Sequence, residues 1–154
     1  MLKHRILATR SSLALALVLS LAPCMAQGGE KVLHVFGGGA DGSLPTSGLT
    51  AGSSKYMYGT TETGGDASCV DGRGFGCGTI FRIDTAGEEK VLYAFAGGIS
   101  DGDGPEGGLI ADNAGNFYGV TGAGGPNDAG TVYKLASDGT ESIVYAFLGG
   151  SDGR

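Results

Sequence analysis

The sequence is poor in the residues and motifs from which most active sites are built. Its 154 residues include no tryptophan and only two histidines, of which His34 alone follows the first 26 residues. It contains no G-x-S-x-G, no Walker loop and no H-E-x-x-H, so the common hydrolase, phosphate-binding and zinc protease patterns are missing. One histidine also leaves too few ligands for a zinc site shared with cysteine. The sequence therefore predicts neither a catalytic set nor a bound cofactor.

Long apolar runs are missing as well, except near the N-terminus. Leu13–Ala22 is a short apolar segment after a basic start, and Cys24 and Ala26 are the small residues expected just before a signal-peptide cleavage site. Residues 1–26 are therefore predicted to be a signal peptide, with a lipoprotein signal ending at Cys24 as the alternative. We expect an exported protein, periplasmic, secreted or at the cell surface, with no membrane span after the signal.

Positive charge is also scarce. Three of the ten Lys and Arg residues lie in the first 26 residues, whereas all 16 Asp and Glu residues follow them, which leaves the mature chain with a net charge of −9. An acidic surface repels the phosphates of nucleic acid. We therefore expect no nucleic-acid partner, and consider cations or a neutral or cationic surface more suitable.

Glycine, in contrast, is abundant and recurs at fixed positions of a repeat. All 32 glycines follow residue 26. The heptapeptides EKVLHVF, EKVLYAF and ESIVYAF open three copies, and each is followed by a Gly-Gly and an Asp-Gly pair. The copies cover residues 30–88, 89–140 and, incompletely, 141–154, within a repeat region of residues 27–154. A period of this length indicates a solenoid, a propeller or an array, and the recurring glycines indicate tight turns.

Each complete copy contains the pattern of four short strands. The heptapeptide is strand one, and because it is apolar on both faces we predict that it is an inner strand, buried on both sides. Strand four carries Arg82 or Lys134 on one face, which predicts a solvent-facing outer strand. This is an all-β fold of tandem four-stranded antiparallel β-propeller-like blades, with two complete repeats plus the first strand of a third. Strands two to four are predicted at Ser47–Ala51, Tyr56–Thr61 and Gly78–Asp84, and at Gly107–Ala111, Asn116–Thr121 and Gly130–Ala136.

The motifs resemble a known family. F-x-G-G-x-D-G, Y-G-x-T and G-T-[VI]-[FY]-[KR]-[LI] occur in order in both complete copies, allowing for one extra residue in the second, and the resemblance to the GloVer repeat of exported bacterial proteins covers nearly all of residues 30–154. The resemblance implies an extracytoplasmic, propeller-like repeat protein. It implies no activity and no catalytic residues.

The number of copies departs from a closed propeller, which needs four or more blades. We interpret the chain as an incomplete propeller and expect a fragment of a longer repeat protein, with assembly from several chains or a small open sheet as alternatives. Strand one of the third copy, Ile143–Phe147, is apolar on both faces. Its open edge is therefore predicted to allow self-association.

Two cysteines, Cys69 and Cys77, lie in an insertion of the first copy. An even pair in an exported chain predicts a disulfide. Because the closed loop is short, we expect a stabilisation of roughly 2–3 kcal/mol that is mostly local.

The recurring aspartates are the sharpest functional signal. Asp41, Asp101 and Asp152, with Asp103, are candidate Ca²⁺ ligands because equivalent loops of a propeller share one face and Ca²⁺ requires oxygen-rich loops. The interpretation we favour is that each aspartate caps its own turn. Because tyrosines take the place of His34 in the other copies, we interpret that histidine as a packing residue rather than a general base.

The predicted function is an exported, non-catalytic repeat module for binding or surface scaffolding. The alternatives are a glycosidase-like enzyme that uses Asp101, Asp103 and Glu106 as paired carboxylates, and a fragment with no independent function.

Overall fold

The chain folds into two four-stranded antiparallel sheets that follow one another along the sequence. This computed structural model describes residues 29–52, 55–65, 68–69 and 74–153, so the predicted signal peptide lies outside the described residues. The described residues from Lys31 onward belong to one compact unit. The predicted all-β fold of two tandem blade-like sheets is confirmed.

Each sheet is a meander of four strands. The strands are β1 (Thr50–Ala51), β2 (Tyr56–Thr61), β3 (Thr79–Asp84) and β4 (Glu89–Ala94) in sheet 1, and β5 (Gly102–Ala111), β6 (Phe117–Gly124), β7 (Thr131–Leu135) and β8 (Glu141–Ala146) in sheet 2. Strands adjacent in sequence are adjacent in each sheet. Short 3₁₀ helices, Gly98–Ser100 and Gly150–Asp152, follow β4 and β8. No helix among the described residues is long and apolar enough to cross a membrane.

The opening heptapeptide of the next copy completes each sheet. β4 belongs to the second copy and β8 to the third, and each is the outer strand at one edge of its sheet. The prediction that the heptapeptide is an inner strand buried on both sides was therefore wrong. Its residues in β8 are exposed or half-buried.

The predicted outer position of the strand with Arg82 or Lys134 was also wrong. β3 and β7 lie third in their sheets and pair on both sides. The Arg82 guanidinium lies 4.3 Å from the centroid of the Tyr56 ring, and Lys134 Nζ lies 5.9 Å from that of Tyr118. The face of an aromatic ring attracts a positive charge and packs on the aliphatic part of the Arg or Lys side chain. These charged residues are therefore accommodated on an interior strand.

Residues 31–36, predicted as the strand one of the first copy, form no strand. Within the described part of the chain they pair with no strand, yet Phe36 packs edge-to-face on Phe81 of β3 with ring centroids 4.9 Å apart. The segment therefore covers sheet 1 through its side chains rather than through backbone pairing.

A repeated β-bulge decides which side chains share a face. The register shifts between Ile80 and Phe81, so that Tyr93 is the partner of Ile80 and Val91 is the partner of Phe81. Leu92 is left as the extra residue. The same shift recurs between β7 and β8. Because a bulge interrupts the alternation of side chains, the heptapeptide shows apolar residues on both faces without being an inner strand.

The two faces of each sheet have different neighbours. We call the face of sheet 1 that carries Phe81, and lies against residues 31–36, its proximal face, and the opposite face its distal face. The equivalent faces of sheet 2 take the same names, so that Phe117 and Tyr133 lie on its proximal face. The distal face of sheet 1 carries Tyr58 and Ile80 and lies against the proximal face of sheet 2. The rings of Tyr58 and Phe117 meet there with centroids 4.1 Å apart.

The core lies between these two faces. Phe95, which follows β4, is 0% exposed and packs edge-to-face on Tyr133 of β7, with ring centroids 5.0 Å apart. The Thr60 hydroxyl beside this core is paired, since it donates to the Gly107 carbonyl at 3.3 Å. A buried hydroxyl without a partner would be destabilising. The remaining buried members of the cluster are Cys69, Cys77, Ile80, Leu109, Phe117 and Leu135.

Candidate functional site

The Asp-Gly pair of each copy belongs to a hydrogen-bonded turn, which we call an aspartate turn. In the second of these, Asp101 is only 5% exposed. Its Oδ2 accepts hydrogen bonds from the Tyr93 hydroxyl at 2.9 Å and from the Ala96 N–H at 2.7 Å. Its Oδ1 accepts the N–H of Gly102 at 2.7 Å. The carboxylate thus joins the outer strand of sheet 1 to the start of sheet 2.

The third aspartate turn repeats this arrangement. Asp152 Oδ2 accepts the N–H of Leu148 at 2.8 Å, and the Tyr145 hydroxyl donates to both carboxylate oxygens, at 2.9 and 3.0 Å. This pair lies at the surface, because Tyr145 is 46% exposed.

The first aspartate turn contains a histidine in the tyrosine position. Asp41 Oδ2 accepts the N–H of Gly37 at 2.8 Å and lies 3.4 Å from His34 Nε2. The Gly37 hydrogen bond lowers the pKa of Asp41 below its ordinary value, because it favours the charged form. The His34 ring is half-buried and packs edge-to-face on Phe36 at 4.7 Å between centroids, which supports its interpretation as a packing residue, although it lies on no strand.

These contacts are those of turn-capping carboxylates. Among the described residues, no group of three or more His, Cys, Asp or Glu side chains is arranged to hold a metal ion. Calcium binding at Asp41, Asp101, Asp103 and Asp152 stays a prediction, while the hydrogen bonds of Asp41, Asp101 and Asp152 support the interpretation that each aspartate caps its own turn.

A glutamate from the following copy lies near each of the first two aspartate turns. Burial, and then the negative charge of Asp101, raises the pKa of Glu141 to about 7. Burial likewise raises the pKa of Glu89, with His34 opposing the shift and Asp41 adding to it. The buried Oε1 of each glutamate has no hydrogen-bond donor among the described residues. Sequence reasoning missed this contact, although a glutamate opens every copy.

The carboxylates of the glycosidase alternative do not meet in one cleft. Asp103 pairs with Ala123 and Glu106 with Val120 in a stretch of unbroken register, so the two acids lie three residues apart on one strand. Side chains alternate along a strand, which places Asp103 and Glu106 on opposite faces of sheet 2. The oxygens of Asp101 are already held by its own turn.

The predicted disulfide between Cys69 and Cys77 is present, with the Cα atoms 5.7 Å apart. Both cysteines are buried and belong to the core cluster that contains Phe95. A Cβ added at Gly97 would lie 2.7 Å from Cys77 Sγ. The disulfide therefore packs where the two sheets meet, so its effect on stability is predicted to extend beyond its own loop.

A cleft of about 440 Å³ opens between the two sheets. Arg82 and Lys90, partners across β3 and β4, line one side of it together with Tyr58. Asp138 and Phe117 line the other side. The aromatic part of its wall is the pair Tyr58 and Phe117, whose rings pack on each other. No sequence motif indicates the cleft, because its two sides come from different sheets.

The comparisons with known proteins agree with the repeated geometry. The family model described as the Gloeobacter/Verrucomicrobia repeat matches residues 18–154, a range that includes both sheets and all three aspartate turns. None of the curated proteins with which the chain was compared matches it. As the motif resemblance predicted, the chain belongs to the Gloeobacter/Verrucomicrobia repeat family.

Proposed function

We propose that the chain is an exported, non-catalytic repeat module that binds a ligand or scaffolds a surface outside the cytoplasm. One observation carries the proposal: the aspartates that recur in the three copies accept hydrogen bonds from their own turns. A catalytic acid or base must instead be within hydrogen-bond reach of a substrate. The recurring aspartates therefore serve the fold, which leaves contact with other molecules to other surfaces of the chain.

The cleft between the sheets is the surface at which we expect a ligand. Arg82 and Lys90 supply donors and Asp138 supplies acceptors, while the rings of Tyr58 and Phe117 pack on each other and form part of the wall. This combination of donors and acceptors suits a chain of hydroxyl-rich sugars, held mainly by hydrogen bonds.

Export is supported by the pattern of residues 1–26, in which a basic start, an apolar segment and small residues follow in order. The experiment fuses this segment to an alkaline phosphatase without its own signal, an enzyme that is active only after export. We expect phosphatase activity in intact bacteria and loss of activity when Leu15 and Leu19 are replaced by Arg. Activity confined to cell lysates would contradict export.

Binding without turnover is tested on the mature chain with a panel of soluble neutral and acidic polysaccharides. We expect binding by affinity electrophoresis and no new reducing ends. The double variant Arg82→Gln and Lys90→Gln should weaken binding, whereas Lys31→Gln, outside the cleft, should leave it unchanged. Release of reducing ends that is lost in Asp103→Ala or Glu106→Ala would overturn the proposal in favour of a glycosidase.

A further inference from the structure

The two distal faces carry equivalent residues but differ in their cover. In sheet 1, Thr60 is 2% exposed and Ile80 is 0% exposed, because sheet 2 lies over them. Their counterparts in sheet 2 are Val120, which is 43% exposed, and Val132, which is half-buried. Together with Tyr145, these residues form an open apolar face of a kind that sheet 1 buries.

The contact between sheet 1 and sheet 2 shows what covers such a face. The cover is the proximal face of another sheet, which places Phe117 on Tyr58 and receives Phe95 on Tyr133. Sheet 2 also places Glu141, the first residue of β8, near Asp101 of the preceding aspartate turn.

The proximal face of sheet 1 accepts the same kind of segment. Residues 31–36 lie there, and Phe36 contacts Phe81 at 4.9 Å between centroids, as Phe95 contacts Tyr133 at 5.0 Å. The segment covers this face without pairing to any strand among the described residues. Its hold on this face therefore comes from side-chain contacts rather than from strand pairing.

We propose that the distal face of sheet 2 docks on the proximal face of sheet 1 of a second copy of this chain. In this assembly Phe147 of one copy displaces Phe36 from Phe81 of the other, and Glu89 of the second copy lies beside Tyr145 and Asp152 of the first. The residues that meet in this assembly are equivalent to those that meet between sheets 1 and 2 of one chain. The contact between copies therefore repeats the contact within the chain.

This assembly is head-to-tail and face-to-face. It differs from the edge pairing predicted at Ile143–Phe147, in which the backbone of β8 would pair with another strand. It also goes beyond the proposed function, because it depends neither on export nor on the absence of catalysis.

Sedimentation of the mature chain at micromolar concentrations tests the proposal. We expect association that weakens at least about tenfold in Val120→Asp, since the docked face would bury an unpaired charge. The matched control is Ile99→Asp, because Ile99 is 77% exposed and lies off this face. Phe36→Ala should strengthen association, because it loosens the segment that the second copy displaces.

The contact itself is mapped by photocrosslinking. Benzoylphenylalanine at position 145 should link to β3 or to Glu89 of a second copy. A chain that stays monomeric, association unaffected by Val120→Asp, or crosslinks from position 145 to β8 would each overturn the proposal. Melting curves of both aspartate variants establish that they are folded before association is compared.

Discussion

Phe95 leaves sheet 1 and sets its ring edge-to-face against Tyr133 of sheet 2, with the ring centroids 5.0 Å apart. The same relationship joins Phe36 to Phe81 at 4.9 Å, one copy earlier in the chain. Each sheet is thus fastened to what precedes it by a phenylalanine that belongs to the preceding segment.

Replacing Phe95 by Ala should lower the free energy of unfolding by about 3–5 kcal/mol, because the ring is fully buried and leaves a cavity. Phe36→Ala, at the half-buried equivalent position, should cost clearly less. Urea unfolding followed by circular dichroism gives both values. Equal losses in the two variants would show that the two contacts are equally buried in solution.

The hydroxyl of Tyr93 should matter more than that of Tyr145. Tyr93→Phe leaves the buried carboxylate of Asp101 with one donor fewer, which should cost about 1–2 kcal/mol. Tyr145→Phe removes an equivalent hydrogen bond that water can replace, so its effect should be below about 0.5 kcal/mol. The comparison is made by thermal unfolding, and a larger effect at Tyr145 would contradict it.

Stability should fall as pH rises from about 4.5 to about 7. The pKa of Glu141 is raised from 4.5 to about 7 in the folded chain, so in this range the folded state binds more protons than the unfolded state. The resulting loss is complete above about pH 7, and Glu89, whose pKa is also raised, acts in the same direction.

Glu141→Gln should therefore flatten the pH profile of the melting temperature between pH 5 and pH 7. The matched control is Glu88→Gln, because Glu88 is exposed and precedes β4 without entering the contact between sheets. A profile that stays steep in Glu141→Gln would assign the slope to another group.

Removing the disulfide with Cys69→Ser and Cys77→Ser should cost about 2–3 kcal/mol by the chain-entropy model. Because the Gly104 N–H donates to the Cys77 carbonyl at 3.0 Å, the loss should also speed hydrogen exchange at Gly104 in sheet 2. The amide of Gly115, in the hairpin turn between β5 and β6, serves as the control. Unchanged exchange at Gly104 would instead support the mostly local effect expected from the sequence.

Local structure was predicted well where the residues within a single strand or turn are enough to specify it. Tyr56–Thr61 has the bounds that the sequence predicts, and the face of β3 opposite Arg82 is buried at Thr79, Phe81 and Ile83. The turn at Asp112–Gly115 forms as its Asn and Gly residues predict, with the Gly115 N–H donating to the Asp112 carbonyl.

The order of strands within the sheets could not be read from the pattern. Apolar residues on both sides of the heptapeptide come from the bulge at Leu92 and from contacts with a second sheet, and an inner strand would give the same letters. The positions of Arg82 and Glu141 were missed for a related reason. Their environment is set by Tyr56 and Asp101, which lie far from them in sequence.

The offset between the sequence repeat and the sheets has a consequence for how such chains grow. Because the fourth strand of each sheet, β4 or β8, belongs to the next copy, gaining or losing one copy changes two neighbouring sheets at once. A copy therefore overlaps two sheets, because its first strand completes one sheet and its other strands begin the next. A cut between β4 and β5 separates two whole sheets, whereas a cut between copies divides one sheet. Duplication of the gene segment would therefore produce a new copy that shares a sheet with its neighbour as soon as it folds.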